Sequence, residues 1–208
     1  MGSPRGLLAQ YRYDEDVRKA MKNGALWGFV LLLILASSVS GRGQTPDKAA
    51  SPSSRDELVR FLVKAKRATY ASQGDVDSVK SVLLPGTHQL EFSEGLFFYR
   101  DIYAGSSMFA GQEMVYYAGK PVWSMSYAGN IPEEVSKQDI EGLTKLLHKA
   151  LMNVPNATPY RGPLQIEDGA FRYANHAGGS FTSFFGDEGI QRDGRVLYTL
   201  HYEGGMLR

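Results

Sequence analysis

Hydrophobic positions after residue 53 recur first at helical spacing. Ser54 and Glu57 form a capping-box pattern, in which a serine caps the first turn of a helix and a glutamate three residues later reaches back to it. The pattern predicts a first helix that begins here and ends by Gly74. Its expected apolar positions are Leu58, Phe61, Leu62 and Ala65. Its basic positions, expected largely on the opposite side, are Arg60, Lys64, Lys66 and Arg67.

Beyond Gly74 the hydrophobic period changes to two, which is typical of β-strands, and turn residues recur about every ten positions. The predicted strands are 89–93, 96–103, 112–118, 121–127, 164–167, 170–176, 181–185 and 195–202. Between the first four strands and the last four, a second helix is predicted to begin at Ser136. Its expected buried stripe is Ile140, Leu143, Leu146, Leu147, Ala150 and Leu151. The predicted fold class is α+β, a mostly antiparallel sheet of seven or eight strands packed against two helices, and no internal repeat is evident.

Two predicted hairpin turns determine which residues share a face of the sheet. A type II′ turn at Gly119-Lys120 would create one aromatic face. The pairs expected on that face are Tyr116 with Trp123, Met114 with Met125, and Gln112 with Tyr127. The opposite face would pair Tyr117 with Val122 and Glu113 with Ser126. A turn at Glu94-Gly95 would gather another set on one face, namely Leu90, Phe92, Phe97, Tyr99, Asp101 and Tyr103.

An uncharged apolar run covers residues 25–36, ahead of the domain, and small residues follow it. The run is shorter than the roughly 20 residues that a membrane-spanning helix needs. Basic, apolar and small-residue regions come in the order of a secretion signal. Met21 would give that signal a compact positive leader, so translation is expected to start there. The alternative is an uncleaved signal anchor, which the basic residues before the run also favour.

The pattern divides the chain into four parts. Residues 1–20 are interpreted as an upstream extension, and residues 21–40 as a signal peptide, cleaved after Ser40, or a signal anchor. Residues 41–53 are expected to be a disordered linker, and residues 54–208 a single α+β domain. The domain is therefore expected to be periplasmic or extracellular, or held outside the cytoplasm by a membrane anchor. Only residues 25–40 would contact the membrane, and only if they are not cleaved.

Composition and motifs exclude several function classes. Cysteine is absent, which excludes disulfides, thiolate metal sites and cysteine nucleophiles. The net charge is +1 with no basic block, so nucleic acid is not an expected partner. The four histidines, His88, His148, His176 and His201, are scattered, and we expect neither a metal site nor a cofactor. Phosphate-binding, dinucleotide and nucleophile-elbow motifs are absent from the sequence.

Asp101 interrupts an apolar stripe, and a carboxylate among aromatic side chains must be paired, hydrogen-bonded or protonated. Two interpretations are open. In the first, aromatic walls and polar groups form a ligand pocket. In the second, Arg161 neutralises Asp101 or Glu113 in a structural network and the aromatic residues fill the core. The candidate ligand-binding residues are Asp101, Tyr103, Gln112, Glu113, Trp123, Tyr127 and Arg161, and no catalytic residue is assigned.

Two functions from different classes follow from these residues. The first is an exported binding module for a small ligand, a glycan or a protein partner. The second is a metal-independent hydrolase in which Asp101 and Glu113 act as an acid/base pair, provided that their environments separate their pKa values. An open cleft with both carboxylates at its floor would favour the enzyme. A filled core would favour binding at the outer surface or at loops.

Several segments carry a resemblance to a known family. They are 61–66, 69–71, 99–105, 109–113, 121–125, 159–163 and the terminal Gly204-Gly205. In their order and spacing they resemble an uncharacterised bacterial domain-of-unknown-function family, found as stand-alone proteins and at the C-terminus of XRE-type helix-turn-helix regulators. The resemblance spans roughly residues 58–208 and implies no reaction. The regulator context implies a ligand-sensing module.

Overall fold

The structure, a computed structural model, describes residues 54–71 and 79–208. Its helices are α1 (Arg55–Ala71) and α2 (Lys137–Met152). Its strands are β1 (His88–Glu94), β2 (Phe97–Gly105), β3 (Met108–Tyr117), β4 (Lys120–Asn130), β5 (Gln165–Asp168), β6 (Phe171–Ser180), β7 (Ser183–Arg192) and β8 (Arg195–Met206). All eight strands join one antiparallel sheet in the order β1-β2-β3-β4-β8-β7-β6-β5. The predicted α+β fold is confirmed.

The predicted signal or anchor, the extension and the linker all fall within residues 1–53, outside the described residues. The predicted end of the first helix at Gly74 also lies outside them. Among the residues that the structure does describe, no helix is both long enough and apolar enough to cross a membrane.

Both predicted helix starts are confirmed by their caps. The Glu57 backbone N–H donates to Ser54 Oγ over 3.1 Å, as the capping box requires. At α2, the Asp139 backbone N–H donates to Ser136 Oγ over 3.1 Å, and Ser136 has the extended backbone of an N-cap residue. These hydrogen bonds satisfy donors that have no partner within the first turn of a helix.

Replacing the α2 cap should lower stability. We expect Ser136→Ala to cost about 1 kcal/mol of the free energy of unfolding, because the first turn loses its side-chain acceptor. Urea denaturation of the purified protein measures the change. Thr144→Ala, at an exposed position inside the same helix, is the control and should change stability by less than about 0.5 kcal/mol. Equal losses in the two variants would contradict the capping role.

The two halves of the sheet repeat one another, a symmetry that the sequence analysis missed. Each half is a helix followed by a four-stranded meander, α1 with β1–β4 and α2 with β5–β8, and the halves meet where β4 pairs with β8. Tyr127 and Tyr202 occupy equivalent positions and lie opposite each other at this junction. Each half also places a buried glutamate at the same point of its third strand, Glu113 in β3 and Glu188 in β7. The repeat is one of structure and register, with few identical residues.

The β3–β4 hairpin has a different register from the predicted one. The turn lies at Ala118-Gly119, one residue earlier than expected, and both residues have positive φ, which identifies a type I′ turn rather than type II′. Moving a two-residue turn by one position changes the register by two residues and leaves the faces unchanged. The register shifts once more between Val115 and Tyr116, and this additional one-residue shift exchanges the faces of one strand. Glu113 therefore lies opposite Met125 on the buried face, and Gln112 lies opposite Ser126 on the other face.

The β1–β2 and β6–β7 hairpins also differ from their predictions, with smaller consequences. The β1–β2 turn lies at Gly95-Leu96, so Leu90 pairs with Asp101. This is a two-residue shift of the register, which preserves the predicted set on one face. The β6–β7 turn lies at Phe181-Thr182, within the segment 181–185 that was predicted as a strand, and both strands are longer than predicted.

One face of the sheet, the inner face, packs against both helices and holds the core, including Tyr99, Trp123, Met125 and Tyr173. Two predicted helix positions are corrected. Ile140 is 39% exposed and is not part of the buried stripe of α2. Lys66, predicted to lie on the solvent side of α1, is 1% exposed. The opposite face of the sheet, the outer face, carries no helix among the described residues.

Candidate functional site

Polar side chains are concentrated in the core between the inner face and the helices. We call this group the buried polar cluster; its charged and amide members are Lys66, Asp101, Glu113, Arg161, Asn175 and Glu188. Each of these residues is at most 4% exposed. Such groups are costly to bury unless hydrogen bonds and opposite charges replace their hydration.

The first part of the cluster belongs to the N-terminal half. Asp101 and Glu113 are direct register partners on β2 and β3, so their side chains share one small region of the inner face. Lys66 reaches them from α1 and forms an ion pair and hydrogen bond with Glu113. Lys66 Nζ also donates to the Tyr160 carbonyl over 2.7 Å and lies 5.8 Å from the centroid of the Trp123 ring. The helix thus supplies the cation that two adjacent carboxylates need.

Tyr127 also belongs to this part of the cluster, and its ring reaches Asp101 by passing over a glycine of β3. Its hydroxyl donates to Asp101 Oδ1 over 2.9 Å, although β4 and β2 are separated by β3. The ring crosses β3 at Gly111, where a Cβ atom would lie 2.4 Å from the Tyr127 hydroxyl oxygen. Any larger residue at position 111 would displace the ring, so glycine at this position permits the hydrogen bond.

The second part of the cluster surrounds Glu188 in β7. Arg161 binds both carboxylate oxygens, with Nε 3.0 Å from Oε2 and Nη2 2.8 Å from Oε1. The hydroxyls of Tyr173 and Tyr198 donate to the same carboxylate over 2.6 and 2.8 Å. A bidentate arginine is the strongest partner available to a buried carboxylate, so Glu188 is fully engaged by charge and by hydrogen bonds.

The equivalent of the Tyr127 contact also exists in this half. The Tyr202 hydroxyl donates to Asn175 Oδ1 over 2.8 Å, and its ring crosses β7 at Gly186, where a Cβ would lie 2.3 Å from the hydroxyl oxygen. Asn175 takes the place that Asp101 has in the first half, since each is the register partner of its half's buried glutamate. One half therefore carries two adjacent carboxylates, and the other half one carboxylate and an amide.

The ionisation of the cluster differs between its two parts. Burial, together with the neighbouring charge of Glu113, raises the pKa of Asp101 to about 7, against the opposing effects of Tyr127, Lys66 and Arg161. Burial also acts to raise the pKa of Glu188, but the charge and hydrogen bonds of Arg161 and the two tyrosine hydroxyls outweigh it and hold that pKa below its ordinary value. Burial lowers the pKa of Lys66, and the charge of Glu113 opposes this. The cluster thus combines a carboxyl that binds its proton near neutrality with a firmly ionised one.

Five of the seven candidate residues come together in or beside this cluster. Asp101, Glu113, Trp123, Tyr127 and Arg161 are all buried on the inner face. Tyr103 is half-buried and stacks on His88, with ring centroids 4.8 Å apart. Gln112 is exposed on the outer face, where its Nε2 donates to Ser124 Oγ over 3.2 Å. Arg161 was expected to neutralise Asp101 or Glu113, but the carboxylate that it binds in the structure is that of Glu188.

Four further members or partners of the cluster were not predicted as site residues, namely Lys66, Glu188, Tyr173 and Tyr198. A signal for Lys66 was present, because it follows Leu62 by four residues and so continues the apolar stripe of α1. A signal for Glu188 was present too, since it alternates with Phe184, Gly186 and Ile190 on the buried side of β7. Both residues interrupt an apolar periodicity in the same way as Asp101.

The surface of the described residues includes three grooves of similar size. The β2–β3 groove, about 510 Å³, is on the outer face next to residues 83–87. The β8 groove, about 420 Å³, is on the same face beside the end of β8. The α1 groove, about 540 Å³, lies between α1 and the β1–β2 turn. Asp101 and Glu113 line none of these three, whereas Tyr103 and Gln112 both line the β2–β3 groove.

Possible metal ligands are dispersed in the part of the chain that the structure describes. No group of three or more histidine, aspartate or glutamate side chains is placed there to hold a metal ion. His201 instead forms a hydrogen bond with Asp187 at the surface.

The fold and this core define a class of protein, an α+β domain made of two similar helix-and-meander halves around a buried polar cluster. Comparison with known families supports one part of the resemblance, the membership of a domain family of unknown function. Residues 101–207 match the family described as Domain of unknown function (DUF5680). The match covers just over half of the 208 residues, and the chain belongs to this family. No curated protein and no solved structure matches the chain.

Proposed function

We propose that this protein is an exported binding module that holds a small, mostly apolar ligand in the β2–β3 groove. The proposal rests on one observation. Core side chains fill the space between the inner face and the helices, whereas the outer face has a groove of the size that binds small molecules. Its volume of about 510 Å³ falls within the roughly 300–1,000 Å³ typical of ligand sites. Export through residues 21–40 remains part of the proposal.

The lining of the groove suits an apolar ligand with one polar head. Apolar side chains dominate it, namely Leu83, Leu84, Ile102, Met114 and Tyr116. Its polar side chains are Thr87, Arg100 and Gln112. Such a distribution buries an apolar body and leaves a few groups to orient the head. A sensing role, as the regulator-associated resemblance implies, would use the same groove.

The hydrolase alternative has less support from the geometry. Asp101 and Glu113 are 1% and 0% exposed, and Lys66 and Tyr127 are bound to them. A substrate would have to displace packed core residues before either carboxylate could reach it. The filled core is the arrangement expected if binding occurs at the outer surface.

A thermal-shift experiment with two probes tests the proposal. Decanoate should raise the melting temperature of the purified full-length protein, and decylamine, which has the same tail and a cationic head, should raise it less because Arg100 lines the groove. Ala110→Phe, at an exposed position that lines the groove, should fill it and abolish the shift.

Thr199→Phe is the matched control, because residue 199 is exposed on the outer face in β8 and does not line the groove. This variant should keep the full shift with decanoate. A shift that survives in Ala110→Phe, or no shift with either probe, would show that the groove does not bind such ligands.

A further inference from the structure

The outer face also carries an exposed aromatic ring that lies along the sheet. Phe185 in β7 is 61% exposed. Its ring extends over Gly178 of β6, because a Cβ atom on Gly178 would lie 2.6 Å from Phe185 Cζ. A ring that lies down on the sheet presents one face to solvent. The face of an aromatic ring is electron-rich, and it attracts the weakly positive C–H groups of a sugar ring.

Hydrogen-bonding groups continue from this ring in a straight row across the sheet. Phe185 is the register partner of Glu203 in β8, which is the partner of Ser126 in β4. Ser126 is in turn the partner of Gln112 in β3. All four residues lie on the outer face and are exposed. Adjacent strands are about 4.8 Å apart, so the row extends over roughly 14 Å.

The β8 groove runs beside this row and adds further polar groups. Ser124, Ser126, Thr182 and Ser183 line it with hydroxyls, and Glu203 contributes a carboxylate. Of the described residues that line the groove, Glu203 is the one ionisable group. A single carboxylate accepts hydrogen bonds from hydroxyl groups and repels phosphate and other anions. The chemistry therefore complements a neutral polyol and opposes an anionic ligand.

We propose that the row Phe185-Glu203-Ser126-Gln112, with the adjoining β8 groove, binds a neutral oligosaccharide. A sugar ring stacks on Phe185, and hydroxyls of the following units donate to Glu203 and exchange hydrogen bonds with Ser126 and Gln112. The row lies on a different part of the outer face from most of the β2–β3 groove, to which only Gln112 contributes. The oligosaccharide site and the proposed ligand site in the β2–β3 groove both lie on the outer face. Either site can fail its test without affecting the other.

Calorimetric titration of the purified full-length protein tests the oligosaccharide site. The probes are cellohexaose and chitohexaose, both longer than the row, with a heparin hexasaccharide as the anionic comparison. At least one neutral hexamer should bind, and the heparin hexasaccharide should bind at least about tenfold more weakly. Phe185→Ala should weaken binding of that neutral hexamer about tenfold, which corresponds to about 1.4 kcal/mol. Glu203→Gln should weaken it severalfold.

Phe98→Ala is the matched control, because Phe98 is an aromatic residue of the outer face in β2 that lies away from the row. This variant should bind the hexamer as the parent protein does. Phe185 and Glu203 are exposed, so unchanged melting temperatures will verify that their variants are folded. Failure of both neutral hexamers to bind, preference for the heparin hexasaccharide, or equal losses in Phe185→Ala and Phe98→Ala would overturn the proposal. Loss of the decanoate shift in Ala110→Phe tests the other groove separately.

Discussion

Glu188→Gln is expected to lower the free energy of unfolding by about 3–5 kcal/mol. The variant keeps the size of the side chain but has one oxygen instead of two, so only one of the Tyr173 and Tyr198 hydroxyls keeps its acceptor. It also removes the negative charge that Arg161 binds. Arg161 is 4% exposed, and a guanidinium cannot lose its proton in a protein. The change therefore leaves a buried cation without its bidentate carboxylate. Urea denaturation at neutral pH measures the loss.

A surface pair of the same chemistry supplies the control. Glu167 accepts from Arg172 Nε over 2.8 Å, and both side chains are more than half exposed. Glu167→Gln should therefore change stability by less than about 1 kcal/mol. The double variant Arg161→Met with Glu188→Gln should be more stable than Glu188→Gln alone, because it removes the orphaned charge. Equal losses for Glu188→Gln and Glu167→Gln would show that Glu188 is not needed to compensate Arg161.

The fold was largely predictable because periodicity and caps are local signals. Ser54 and Ser136 each sit at a helix start and are confirmed by their hydrogen bonds. The change of period after residue 74 correctly predicted the strands, although the β1–β2 and β3–β4 turns were each displaced by one residue. The register irregularity between Val115 and Tyr116, which the sequence did not predict, is the reason that Gln112 and Glu113 were predicted on the wrong faces. Hairpin register depends on backbone conformation, which glycine position alone does not specify.

The candidate site was predictable only in part, for a different reason. Asp101 was recognised because a carboxylate in an apolar stripe needs a partner, and it does have partners. Asp101 accepts from the Tyr127 hydroxyl. The cations of the cluster come from distant parts of the chain, since Lys66 in α1 pairs with Glu113 and Arg161, from the segment before β5, pairs with Glu188. Tertiary packing decides which cation meets which carboxylate, and no local pattern contains that information. Charged residues that interrupt an apolar stripe, such as Lys66 and Glu188, were the usable signal.

The structural repeat explains why a buried glutamate interrupts the apolar side of the third strand in both halves. Glu113 and Glu188 occupy equivalent strand positions, but a lysine from the helix serves the first and an arginine from a loop serves the second. The equivalent tyrosines, Tyr127 and Tyr202, each cross a glycine to reach the next strand but one. The two halves differ at the register partner of the buried glutamate, which is Asp101 in the first half and Asn175 in the second. The first half therefore has one more carboxylate. Asp101 is also the carboxyl of the cluster whose pKa burial and Glu113 raise to about 7.

Asp101→Asn is expected to stabilise the protein at alkaline pH and to remove part of its pH dependence. The folded state raises the pKa of Asp101 to about 7, whereas an aspartate in the unfolded chain has a pKa of about 3.9. The folded protein therefore holds this proton more tightly. Its contribution to stability is fully present below about pH 4 and is lost as the pH rises through about 7. Asparagine resembles the protonated acid and still accepts from Tyr127.

The expected difference between the variant and the parent protein is of the order of 4 kcal/mol between pH 4 and pH 8, since the pKa rises by about three and each unit corresponds to about 1.4 kcal/mol. Urea denaturation from pH 5 to pH 9 should show Asp101→Asn gaining on the parent as the pH rises. Asp168→Asn, at a position whose side chain is 38% exposed and faces Lys145, should show no such growth. A constant difference between Asp101→Asn and the parent over this range would mean that Asp101 is already ionised in the folded protein at pH 5. The charge balance of the buried polar cluster would then need a different explanation.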